Sequence, residues 1–304
     1  MAQLIKLEDC VSRYEQDVFR YTGQYTRLKR DRWNRVKVNW EIDQMKEDLY
    51  SPEQEHPTKS KWWKRKRDNP ENEIIESGKV RIDPRSLSEV KEDFREELFQ
   101  FQLKWASSTI RETSVISSTI KQDKFLRFLV QELPDNYLVL YKPIIQLKKA
   151  QTQLDVLLIG PDSIKAIVLL ETSKGEVVHT SRNRFWECER HEEKRKIINP
   201  ISAVQRMNYF IESVTDIKTT ELKISYIILA QNAYMNRDNI PSYIQIVDQT
   251  NYSEWKKALK RQLSPIKFKQ LKAAKIVLAH CATSAYRRPE WDRDKHQWDE
   301  SSSD

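Results

Sequence analysis

The sequence predicts an α/β fold: a mixed central sheet flanked by helices, with a helical N-terminal extension. Three observations predict it. Short apolar runs recur at 155–159, 164–170 and 224–230, lengths that suit buried strands. Segments with apolar residues every three or four positions alternate with those runs. Glycine is scarce, with 4 in 304 residues, which argues against a turn-dense β-sandwich and against a glycine-rich phosphate loop.

Residues 1 to about 50 read as helical. Leu4, Leu7, Val11, Tyr14, Val18, Tyr21, Tyr25 and Leu28 recur at helical spacing among charged residues. A long amphipathic helix or a helical hairpin fits, and either could pair with a second copy or a protein partner as a coiled coil. Around residues 51–77, Pro52, Pro57 and Pro70 bar a regular helix, so this stretch reads as a linker. A second helix begins near Ser86, a suitable cap, with Val90, Phe94, Leu98, Phe101 and Trp105 as its apolar stripe.

The character changes near Thr113. "STIKQDKFLRFLVQEL" predicts a helix stopped by Pro134, and "YLVLYKPI", "LDVLLIG" and "IKAIVLLE" predict three strands. After a basic stretch, "NPISAVQRMNYFIESV" predicts a helix opening at Pro200, where proline suits the first turn. "KISYIILA" and "SYIQIVD" read as strands and "NYSEWKKALKRQL" as a helix, whereas "KAAKIVLAHC" fits either. The expected division is 1–112 helical and basic, 113–265 the α/β core, and 266–304 an extension and tail.

Composition narrows the function classes. The charged share is 32% against 38% apolar, and mean hydropathy is -0.76, so one real core plus solvated segments is expected. The net charge of +8 draws the chain to polyanions, nucleic acid or anionic lipid. Cys10, Cys188 and Cys281 are far apart and lack C-x-x-C spacing, the usage of a reducing cytoplasm without a disulfide framework or zinc site. Charge at Lys6 interrupts any apolar leader, and no window approaches the roughly 20 apolar residues of a membrane span.

The stretch "TQLDVLLIGPDSIKAIVLLETSKGEVV" sets Asp155 at the head of one apolar strand and Glu171 at the tail of the next. A turn centred on Asp162 would pair 155 with 169 and 153 with 171, placing Gln153, Asp155, Glu171 and Ser173 on one face. A half-residue shift would turn Glu171 away. Two carboxylates on one face make a hard, oxygen-rich site suited to Mg²⁺ or Mn²⁺. The plain alternative is two strand-edge acids in solvent.

The ordered set of these pieces resembles the nuclease-related domain (NERD) family of the PD-(D/E)xK phosphodiesterases, over roughly residues 115–262. "LPDNYLVLYKPI", "TQLDVLLIGPDSIKAIVLLE", "KGEVV", Trp186, "NPISAVQRMNYFI", "ISYIILA" and "IQIVD" come in the family's order. The resemblance implies a restriction-endonuclease-like core and a metal-dependent hydrolase acting on DNA in a bacterial-type cytosol. It makes Asp155 and Glu171 the metal ligands for Mg²⁺ or Mn²⁺, and Gln205 and Tyr209 a Q-x-x-x-Y pair on the following helix.

Two positions depart from the family. Its Glu-x-Lys becomes Glu171, Thr172, Ser173, so serine holds the lysine slot. Lys174 could substitute only if the strand ends or bulges at 172–173. The first-helix glutamate has Gln122 as its counterpart, or Asp123 under a shifted alignment.

Basic and aromatic residues supply candidate nucleic-acid contacts. "KSKWWKRKRD" sets Lys61, Lys64, Arg65, Lys66 and Arg67 around Trp62 and Trp63, a mix of phosphate-binding cations and stacking rings that also suits a membrane surface or a solvated linker. Arg182 and Arg184, in "SRNRFWECERHEEKRK", could lead a backbone toward Asp155 and Glu171, although interleaved glutamates weaken the stretch. Two readings follow: a metal-dependent deoxyribonuclease, weakened or intact, and a non-catalytic nucleic-acid-binding or assembly scaffold on the same fold.

Overall fold

The computed structural model describes residues 1–49, 85–147, 150–191 and 193–288. It divides into two compact units, residues 1–27 with 95–304, and residues 28–94. Described elements run in the order β1 (Gln3–Leu7), α1 (Arg13–Gln16), α2 (Val18–Leu49), α3 (Leu87–Trp105), β2 (Glu112–Thr113), α4 (Ser118–Gln122) and α5 (Lys124–Arg127). A π-helical turn at Phe128–Glu132 leads to β3 (Leu138–Tyr141), β4 (Ile144–Leu147), β5 (Ala150–Gln153), β6 (Val156–Ile159) and β7 (Ser163–Leu169). Next come β8 (Glu176–His179), β9 (Phe185–Arg190), β10 (Glu193–Ile198), α6 (Ile201–Ser213) and α7 (Thr215–Lys218). The described chain ends with β11 (Lys223–Ala230), β12 (Ala233–Met235), β13 (Ile244–Asp248), α8 (Tyr252–Lys260), α9 (Phe268–Leu278) and β14 (Tyr286–Arg287).

The main sheet has the order β1-β3-β6-β7-β11-β13. Its middle is antiparallel (β3 to β6 to β7), and its flanks are parallel (β1 to β3, β7 to β11, β11 to β13). The runs at 155–159, 164–170 and 224–230 supply its centre, as predicted. They are continuous in Val, Ile and Leu because helices cover both faces. One face carries Val139, Val156, Leu158, Ile167, Ile227 and Leu229 into a cluster with Phe99, Leu103, Phe125, Leu129, Trp255 and Leu259. Helix α6 lies against β7 and β11, and α9 lies against β6 and α7.

Asp123 breaks the predicted helix before Pro134 into α4 and α5. Its Oδ1 accepts from the amides of Phe125 (2.9 Å) and Leu126 (3.0 Å), capping α5. Pro200 opens α6 as read from sequence, and "KAAKIVLAHC" resolves as helix α9. Ser86 caps α3, taking the Glu89 amide at 3.3 Å while its own amide reaches the Glu89 carboxylate at 2.8 Å. In the unit 28–94, Trp33 packs on Phe94 with ring centroids 5.2 Å apart.

One expectation is overturned at the start of the chain. Residues 3–7 are not helical; "QLIKL" is strand β1, wholly buried at one edge of the sheet. Leu4 and Leu7 fit a helical spacing, and Lys6 reads as a solvent residue. The structure buries Lys6 by giving its ammonium three oxygens: the Cys10 carbonyl (2.8 Å), Thr283 Oγ1 (2.9 Å) and the Glu15 carboxylate. A buried cation is tolerated only with such partners.

The open edge of β1 is closed by a side chain. Gln102 of α3, itself buried, accepts the Leu4 amide at 2.7 Å and donates to the Ala2 carbonyl and the Tyr25 hydroxyl, both at 2.8 Å. Sheet edges otherwise present unpaired backbone groups.

A second sheet, β10-β9-β8-β12, grows from the stretch read only as basic. Along β9, Trp186 and Cys188 point inward between exposed neighbours, and the Trp186 indole donates to the Ser181 carbonyl at 2.7 Å.

Two stability predictions follow. Gln102→Met leaves the Leu4 amide and the Ala2 carbonyl buried without partners, and is expected to destabilise by about 2–6 kcal/mol in urea unfolding, at about 1–3 kcal/mol per orphaned group. At Gly160 an added Cβ would sit 2.9 Å from the buried Tyr137 ring. Gly160→Ala is expected to cost about 1–3 kcal/mol, as overpacking does, in the same measurement.

Candidate metal and nucleic-acid site

The hairpin β6–β7 pairs Val156 with Ile167 and Ile159 with Ile164. The turn is therefore centred between Pro161 and Asp162, half a residue before the position the one-face arrangement required. That pairing expectation is corrected: in this register Asp155 does not oppose residue 169, nor Gln153 residue 171. Strict alternation does not project Glu171 either, because β7 stops at Leu169 and residues 170–173 leave the ladder. The Leu170 amide goes instead to the Leu229 carbonyl at 2.9 Å.

Asp155 sits at this open end, partly buried. Its Oδ2 accepts the Leu169 amide at 2.8 Å. Its carbonyl accepts the amide of Lys142, the residue after β3, at 2.6 Å. Burial pushes the Asp155 carboxyl above its ordinary range; the Leu169 amide, Lys142 and Arg206 pull it back, and the charge of Glu171 adds to the rise. Two cations thus favour the charged form of Asp155. Neither cation was singled out from sequence. Lys142 lies outside any nuclease-like triplet, and Arg206 is hidden beside Gln205. The weak signal for Lys142 was its place at the end of the strand preceding Asp155.

Past β7 the chain is held by an ion pair. Arg195 of β10 donates from Nε to Glu176 Oε1 (2.6 Å), and from Nη2 to Glu176 Oε2 and the Glu171 carbonyl (both 2.8 Å). The hydrogen bonds from Arg195 hold the buried Glu176 carboxyl below the usual range. This clamp leaves the Glu171 side chain exposed. Thr172 Oγ1, next along the chain, is buried with no hydrogen-bond partner. Ser173 and Lys174 are exposed ahead of Gly175, whose φ of +78° favours glycine.

Asp155 and Glu171 offer hard carboxylate oxygens of the kind Mg²⁺ or Mn²⁺ takes. Among the described residues no three His, Cys, Asp or Glu side chains gather into a metal-holding group. Asp123, weighed as a further ligand, is committed elsewhere: beyond its cap, its Oδ2 accepts the Tyr141 hydroxyl at 2.6 Å. Gln122 is exposed at the end of α4.

Gln205 and Tyr209 share the solvent face of α6, whose buried side is Val204, Met207, Phe210 and Ile211. Tyr209 is thus not a core aromatic. Gln205 lines a cleft of about 910 Å³ with Arg182 and Arg184. The cleft's wall is fixed by Asn199, which donates to the carbonyls of Ser181 (3.3 Å) and Asn183 (2.9 Å) and accepts the Ile201 amide (3.0 Å). The structure thus sets Gln205 with the two arginines on one cleft, whereas the observed register does not put Glu171 on the Asp155 face by strand alternation; Lys174 and Tyr209 make no side-chain hydrogen bond to either acid. Lys61, Trp62, Trp63, Lys64, Arg65, Lys66 and Arg67 lie outside the described residues.

Comparison with known proteins agrees with this architecture. Residues 118–230 match the nuclease-related domain model. The matched stretch runs from α4 to the end of β11 and includes both carboxylates. A curated relative, an RNA 2',3'-cyclic phosphodiesterase of Geobacillus stearothermophilus, is 33% identical over 113 residues, covering 34% of this chain and 36% of the relative. The chain therefore spans about a third of that relative's length. No solved structure matches the chain. Among the described residues, no helix is long and apolar enough to cross a membrane.

A pH-dependent prediction follows from the burial of Asp155. With its folded value raised, the folded chain holds this proton to higher pH than the unfolded chain. The stability so gained is full below the ordinary value of 3.8 and is lost as pH rises through the folded value. Asp155→Asn is expected to melt no lower than the parent at pH 7, with the difference closing as the melts are repeated toward pH 4.

Proposed function

We propose that this protein is a divalent-metal-dependent phosphodiesterase that hydrolyses DNA in the cytoplasm. What supports the reading is the match of residues 118–230 to the nuclease-related domain model, with Asp155 partly buried at the end of the β6–β7 ladder and Glu171 exposed on the segment just past it. Asp155 and Glu171 would hold Mg²⁺ or Mn²⁺, which when bound would polarise the phosphodiester and acidify water.

The chain's own residues do the rest. Lys142 and Arg206 counter the negative charge that builds on the phosphate, the part a lysine at position 173 would otherwise take. Lys174, free of the ladder, is the nearer alternative in sequence. Gln205 and Tyr209, one turn apart on α6, orient the strand. Arg182 and Arg184 take backbone phosphates. The segment from Lys61 to Arg67, with Trp62 and Trp63, adds salt-sensitive affinity on the strength of its composition.

A second reading, a non-catalytic nucleic-acid-binding scaffold, is favoured by Ser173 in the lysine slot and by the exposure of Lys174. The reducing-compartment placement rests on three widely spaced cysteines. The relative's name makes RNA a substrate to include in any assay.

Incubation with labelled single- and double-stranded DNA and RNA in Mg²⁺ or Mn²⁺ separates the readings. Hydrolysis is expected, abolished in Asp155→Ala/Glu171→Ala and lowered about 10²–10³-fold in Lys142→Ala, the usual loss for one electrostatic partner. Binding without hydrolysis by the parent protein would establish the scaffold instead.

A further inference from the structure

The cleft beside α6 has a lining that a phosphate-only groove does not need. Arg182 and Arg184 lie on it with no carboxylate among its lining residues. Among the described residues, the Arg182 guanidinium makes no ion pair, and Arg184 only overhangs the Phe185 ring, at 5.4 Å. Four amide side chains also line it: Asn199 is engaged with the neighbouring backbone, while Asn183, Gln205 and Asn239 make no side-chain hydrogen bond within the described chain. Ile198 adds an apolar surface that is 68% exposed.

Each amide carries a donor and an acceptor side by side, the pattern that matches the edge of a nucleobase. Such edges are free only when the base is unpaired. An exposed apolar side chain next to them can cover the face of that base. A volume of about 910 Å³ lies within the range of about 300–1,000 Å³ for pockets that enclose a small molecule, and it accommodates one nucleotide. Gln205 reaches the cleft from the exposed face of α6.

We propose that this cleft binds one unpaired nucleotide of a single-stranded polynucleotide, with Arg182 and Arg184 on its phosphates and Asn183, Gln205 and Asn239 reading the base edge. The proposal deepens the nucleic-acid reading above and rests on it. It also makes single strands, not duplexes, the preferred substrate.

Fluorescence anisotropy in EDTA tests it on the full chain, using a labelled single strand of about 12 nucleotides, within the usual site size, and the same sequence as a duplex. The single strand is expected to bind about tenfold tighter, the gain of one well-held base. Asn183→Ala/Gln205→Ala, two exposed truncations, is expected to erase that preference, single-strand affinity falling to that for the duplex. Asn239 is left alone because its φ of 64° penalises alanine.

Equal affinity for strand and duplex in the parent protein, or a preference kept in the double variant, overturns the proposal. Adenosine monophosphate displacing the strand at equal concentration overturns it in favour of a free nucleotide; displacement only in large excess supports the strand. Because EDTA removes catalysis, a protein that prefers single strands but never cleaves leaves this inference standing and removes only the hydrolytic reading.

Discussion

The Asp155 carboxylate takes the amide hydrogen of Leu169 at 2.8 Å, at the point where β6 and β7 cease to pair. Much of the site depends on that bond. An amide at the end of a buried ladder needs an acceptor, and no further residue of β6 is placed to supply one. A carboxylate fills the vacancy but enters a half-apolar setting, which raises the cost of its charge. The cations Lys142 and Arg206 offset that cost. A structural need at a strand end thus accounts for a carboxylate at position 155.

The clamp from Arg195 to Glu176 solves the complementary problem. Leaving the sheet after Leu169, the chain must hold Glu171 near Asp155 without a ladder. A guanidinium with two bonds to one carboxylate and a third to the Glu171 carbonyl fixes that backbone from the second sheet. The second sheet is therefore part of the site's support, and its strand β9 anchors on the buried Trp186. The cleft next to α6 borrows the same framework, since Asn199 ties the Ser181–Asn183 loop to the start of the helix.

Legibility from sequence followed how local each interaction is. The three central strands, α3, α6 and α8 were readable because continuous apolar runs and helical stripes report burial directly. Strand β1 was misread because a five-residue strand carrying Lys6 looks like an amphipathic helix until the ion pair with Glu15 and the oxygens of Cys10 and Thr283 are known. Strands β8 to β10 were hidden by their charge: an exposed outer sheet alternates Glu, Lys and Arg and has no apolar run to announce it. Asp123 read only as an alternative ligand inside an unbroken helix; its capping of α5 and its bond from the Tyr141 hydroxyl appear in the structure.

The fold class and the three central strands were legible in the order of residues, because strand-forming runs and the residues that bound them are local properties of the chain. Tertiary structure alone decided the half-residue register of the hairpin, the recruitment of Lys142 and Arg206, and the meeting of Arg182, Arg184 and Gln205 in one cleft. Those features join residues distant in sequence, or turn on a shift of one position. Side-chain periodicity records which face is buried but carries no information about which charges from other elements will be packed against it.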